Sequence, residues 1–140
     1  MNDKELSNAV GLLSEEPRNG ICTFELANDC PSGWGVIIAS AGVNFYYKDG
    51  SSETVGPRPV NLGSGQNASF ASTKAGGCVK KTYLAMTVVI PGEGASNMTH
   101  MSPDAGEGQC YIRDGIILGP KRLALESQSK LSELLTIQSN

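Results

Sequence analysis

Histidine and tryptophan occur once each among the 140 residues, aromatic side chains make up 6%, and no two of the four cysteines are spaced as CxxC. A lone His100 with dispersed cysteines supplies no ordinary zinc ligand set, so no metal is expected. No apolar run is long enough to cross a bilayer as a helix. The N-terminal MNDKELSNAVGLLSEEP has acids where a signal peptide has a basic end, and it lacks a continuous apolar core. Synthesis and folding in a cytoplasm are therefore expected, with Cys22, Cys30, Cys78 and Cys110 as free thiols. Four cysteines could make two disulfides in an oxidising place, and Cys78 and Cys110, which flank the two connections of the strongest strand, could oxidise outside a cell.

Catalytic constellations are also missing. Asp104 and Glu107 lie in a glycine-rich stretch and read as solvated loop acids rather than an acid/base pair. Nothing resembles a nucleophile elbow. The GSG near Ser64 and the GEG near Glu93 are too short to cradle a phosphate. The expectation is a protein that is not an enzyme and takes no cofactor.

What is present is glycine, 17 residues of it, with an ordinary apolar fraction of 39% and a net charge of -3. That balance favours β structure with many turns in one domain. Charge is unevenly spread. From Thr54 to Gly92 there is no Asp or Glu, while Arg58, Lys74, Lys80 and Lys81 fall inside the window. A locally positive, acid-free sheet in an acidic chain suits an anion-facing surface.

TYLAMTVVIP is the strongest strand signal, rich in β-branched and aromatic residues and closed by Pro91. Alternation places Leu84, Met86, Val88 and Ile90 on one face and Lys81, Tyr83, Ala85, Thr87 and Val89 on the other. With NASFAST before it and CYIRDGIIL after it, this strand reads as the middle of three antiparallel strands, the last reached by a long loop from Gly92 to Gln109. Upstream, residues 21–40 read as a hairpin. VNFYYKDGSSETV reads as a strand that closes on the Asp49-Gly50 turn signal, and GPRPVNLGSGQ as a loop or irregular edge.

Both ends read as helices. Leu6, Ala9, Val10 and Leu13 have helical spacing. After Pro120, the residues Leu123, Ala124, Leu131, Leu134 and Leu135 form an apolar stripe on an amphipathic helix of about four turns. The expected fold class is α+β: an N-terminal helical segment (1–20), an antiparallel sheet of about five to seven strands (21–118), and a C-terminal helix (119–140) lying on the face formed by Leu84, Met86, Val88, Ile90, Ile112, Ile116 and Leu118.

The run ASFASTKAGGCVKKTYLAMTVVIP, the long loop, CYIRDGIIL and the terminal KRLALESQSKLSELL resemble, over residues 54–136, the coat proteins of single-stranded RNA bacteriophages. The resemblance implies an intertwined homodimer that assembles into an icosahedral shell in a bacterial cytoplasm and resides in the virion. It implies a sheet face turned to genomic RNA, with no membrane partner. Carried onto this sequence, the RNA-binding residues are Ser69, Thr73, Lys81, Tyr83, Thr87, Tyr111 and Arg113. Tyrosine stacks on unpaired bases, Lys and Arg meet phosphates, and hydroxyls reach base edges. The residues also leave open a secreted or cytosolic β-sandwich module that binds lipid or glycan, and a filament or tail subunit.

Overall fold

The computed structural model describes residues 12–15, 21–33, 35–90 and 94–119. They contain eight strands: β1 (Leu12–Glu15), β2 (Thr23–Asn28), β3 (Val36–Tyr47), β4 (Ser52–Leu62), β5 (Asn67–Ala71), β6 (Val79–Ile90), β7 (Gly94–Met101) and β8 (Gln109–Leu118). The sheet order is β4-β3-β6-β8-β2-β5, with β1 added to β8 and β7 to β6. The pairings are antiparallel except for β2 with β8, which run parallel.

The α+β expectation is corrected by this arrangement. Among the described residues there is no helix, and the predicted N-terminal helical segment contains a strand, β1. The C-terminal helix lies outside the described residues. Other sequence readings change too. Residues 21–40 are not a hairpin: β2 pairs with β5 and β8, whereas β3 pairs with β4 and β6. β5 lies beside β2 rather than β6, and β6 pairs with β8 in the ladder only at Val79 and Tyr111. The expected loop from Gly92 to Gln109 contains β7, which carries His100 and pairs with β6 from Tyr83 to Ile90. The irregular stretch GPRPVNL belongs to β4, an end strand of the sheet order, where prolines are tolerated.

The sheet curls until its end strands meet. Arg58 of β4 donates from Nη2 to the Ser69 carbonyl of β5 at 2.6 Å, and its guanidinium lies 4.2 Å from the centre of the Phe70 ring. Gly56 allows β4 to approach β3 closely. Its φ is +93°, and a Cβ there would stand 2.8 Å from the Ala41 carbonyl oxygen. The enclosed space is filled by side chains from many strands: Phe24, Leu26, Ile38, Val43, Phe45, Phe70, Leu84, Ile116 and Leu118 are at most 1% exposed. Each contributes about 1.5–3 kcal/mol by leaving water. The apolar face expected to lie under a helix is thus covered by the opposite strands of the same chain. Ile112, expected on that face, is only half-buried.

Cysteine chemistry is corrected as well. Cys78 and Cys110 form a disulfide, with Cα atoms 5.1 Å apart, because β6 and β8 begin side by side. Cys22 and Cys30 are buried thiols outside any disulfide.

Candidate functional site: the outward face of the β3, β6 and β7 strands

Alternation along β6 turns Lys81, Tyr83, Ala85, Thr87 and Val89 outward, opposite the buried Thr82, Leu84, Met86 and Val88. The registers extend this face sideways. On β3, Tyr46 lies opposite Lys81, Asn44 opposite Tyr83, Gly42 opposite Ala85 and Ser40 opposite Thr87. On β7, Met101 lies opposite Tyr83, Thr99 opposite Ala85 and Asn97 opposite Thr87. The small side chains at Ser40 and Ala85 leave a shallow groove of about 420 Å³. Its floor includes Met86 and Met98, and its rim includes Pro57, Thr87, Asn97 and Thr99.

The face is ordered by its own hydrogen bonds. Thr87 Oγ1 donates to Asn97 Oδ1 at 3.0 Å. Thr54 Oγ1 donates to Asn44 Oδ1 at 2.6 Å, and Asn44 Nδ2 reaches Tyr46 Oη at 3.5 Å. The Lys81 ammonium lies 5.1 Å from the centre of the Tyr46 ring, a cation–π contact. Hydroxyl, amide, ammonium and aromatic groups therefore share one open surface.

Of the seven residues selected from the sequence, Lys81, Tyr83 and Thr87 share this face. The others do not join them. Ser69 is exposed on β5, where its carbonyl is held by Arg58. Thr73 follows β5 and gives both its backbone N–H, at 2.7 Å, and its hydroxyl, at 2.6 Å, to Glu53. Arg113 is exposed on β8 and ion-paired with Glu25 at 2.7 Å. Tyr111 is 6% exposed, part of the core, and its hydroxyl donates to the Pro103 carbonyl at 2.7 Å. Burial raises its pKa.

Irregular registers explain why Tyr111 and Arg113 part company. Pairing of β1 with β8 passes from Leu12–Arg113 to Leu13–Tyr111, skipping Ile112. Pairing of β3 with β6 passes from Tyr46–Lys81 to Tyr47–Val79, skipping Lys80. Each extra residue reverses the side-chain alternation beyond it. Val79 and Tyr111 therefore point inward, while Lys81 and Arg113 point outward. Sequence reasoning also missed Ser40, Asn44, Tyr46, Asn97 and Thr99. The three on β3 are within reach of an alternation argument once GVIIAS and VNFYY are joined into one strand.

Two polar clusters support the scaffold. Glu53 accepts from Tyr47 Oη and from Thr73, and it lies below the ordinary carboxylate range: burial opposes its ionisation, but these hydrogen bonds and the Lys74 backbone N–H outweigh it. Inside, Asp114 is 4% exposed and accepts from Thr82 Oγ1 at 2.7 Å and from the Gly115 N–H at 2.8 Å. The described residues contain no His, Cys, Asp and Glu cluster suited to a metal.

No protein-family model matches this chain, and no curated protein matches its sequence. Among solved structures, pneumolysin is similar over 69% of this chain, at 10% identity and a TM-score of 0.32. The match covers 21% of that chain, so the present chain spans about a fifth of pneumolysin's length. A likeness at that level defines neither fold nor function, and none of the three comparisons bears on the resemblance to bacteriophage coat proteins.

Proposed function

We propose that this protein is a carbohydrate-binding module and that the outward face of β3, β6 and β7 is its binding surface. The supporting observation is the groove over Ser40 and Ala85, rimmed by hydroxyl and amide groups and continued along the register by Tyr83 and Tyr46. Sugars present apolar C–H ring faces and hydroxyl edges. A tyrosine ring suits the first, and Ser, Thr and Asn side chains suit the second. A filled, curled sheet holds such groups on rigid strands.

A membrane-inserting surface is less well supported. Exposed large apolar side chains on this face, Ile37 and Met101, lie at opposite ends of it, with Ser40, Thr87, Asn97 and Thr99 between them. An inserting patch is contiguous. The coat-subunit reading calls for an open apolar sheet face awaiting a partner's helix. Here that face is filled from within the chain, and the RNA-binding set is divided between a core position and separate outward faces.

A glycan array tests the proposal, with liposomes and single-stranded RNA as parallel arms. Wild-type protein is expected to retain a restricted set of glycans and Tyr83→Ala to lose them with its fold intact by circular dichroism. Retention of liposomes or RNA with no glycan retained contradicts the reading.

A further inference from the structure

We infer that the glycan is acidic, and that its carboxylate or sulfate group is met by Lys81; this rests on the carbohydrate reading above. The charge pattern of the face supports it. Strands β3, β6 and β7 contain no Asp or Glu. β4 contains only Glu53, whose two oxygens are engaged by Tyr47 and Thr73. Three other cations are committed elsewhere. Lys74 pairs with Asp49, Arg58 serves Ser69 and Phe70, and Lys48 donates to the Gly106 carbonyl at 2.7 Å.

Lys81 differs from them. Among the described residues no carboxylate lies within ion-pair distance of it. Its ammonium is instead held over the Tyr46 ring, and Tyr46 is in turn steadied by Asn44 and Thr54. A ring contact leaves the ammonium N–H donors on the far side available and no carboxylate neutralising the charge. The neighbouring outward residue on β6 is Tyr83, so an anion at Lys81 sits next to an aromatic platform for the sugar ring. Among the described residues of these three strands, no fixed negative charge repels such a ligand.

The test uses array glycans printed as matched pairs, neutral and with a uronate, sialate or sulfate group added. The acidic members are expected to bind about two- to fivefold more tightly, the range of an exposed ion pair. That advantage shrinks as salt rises. Lys81→Gln is expected to bring acidic binding down to the neutral level, and Lys81→Arg to restore it. Equal binding of both members, or an acidic preference unchanged in Lys81→Gln, overturns the inference and leaves the carbohydrate reading standing. Absence of any bound glycan overturns both.

Discussion

Val79 faces Tyr111 across the one rung that joins β6 to β8, and both side chains are in the core. Immediately before this rung, Cys78 and Cys110 are joined as a disulfide with a sequence separation of 32. Beyond it, β6 turns to pair with β7, and β8 pairs with β2. The disulfide therefore clamps a seam that carries little ladder hydrogen bonding.

Closing a loop of that length restricts the unfolded chain by roughly 3–4 kcal/mol. The Cys78→Ser/Cys110→Ser variant is expected to lose about that much stability in urea denaturation, and wild-type protein to lose a similar amount under a phosphine reductant. The denaturation midpoint reports the change. An unaltered midpoint would show that the rung holds without the covalent link.

The polar knot around Glu53 predicts a two-sided pH profile. Glu53 and Asp49 both have lowered pKa values in the fold, the latter chiefly through the Lys74 ammonium. Such carboxylates stabilise the fold above their unfolded pKa, near the ordinary 4.5 for Glu53, and that contribution is lost as pH falls through the folded value. Tyr47 acts in the opposite sense. Burial, followed by its hydrogen bond to Glu53, pushes it from 10.0 up to about 12. Its contribution is complete below the unfolded value and disappears as pH rises from about 10 to about 12. Denaturation midpoints measured across pH are expected to fall at both ends. Tyr47→Phe should flatten part of the alkaline decline, and Glu53→Gln part of the acid one.

Close packing behind that knot gives a sharper mutational expectation. A Cβ at Gly77 would lie 2.5 Å from the Tyr47 ring, which is buried and hydrogen-bonded to Glu53. Gly77→Ala must displace the ring or the backbone, at a cost of about 1–3 kcal/mol. Gly65→Ala is a useful comparison: its φ is +78° but nothing stands within 4 Å of the added Cβ. Only the first variant is expected to change the Tyr47 titration seen by ultraviolet absorbance.

Side-chain alternation was legible wherever a strand ran without interruption. Leu84, Met86 and Val88 are buried, and Lys81, Tyr83 and Thr87 face outward, as period-two reading places them. It failed across extra residues: Ile112 and Lys80 are skipped in pairing, which put Tyr111 on the wrong face. Strand partners were not legible, because the pairing of β2 with β8 joins residues about 90 positions apart, such as Thr23 with Arg113, and no local signal encodes it. β7 was hidden because GASNMTHM has little apolar alternation; its pairing with β6 supplies the order that its own sequence does not. The candidate groove was only partly legible, since it takes Ser40 from β3 and Asn97 and Thr99 from β7 as well as residues of β6.

Nitrogen-15 labelled protein titrated with the best-retained array glycan, followed by amide chemical-shift mapping, tests the binding surface most directly. The account predicts saturable shifts concentrated at Asn44, Lys81, Tyr83, Thr87, Asn97 and Thr99. Shifts concentrated instead around Glu25, Ser69 and Arg113, on the opposite strands, would contradict it.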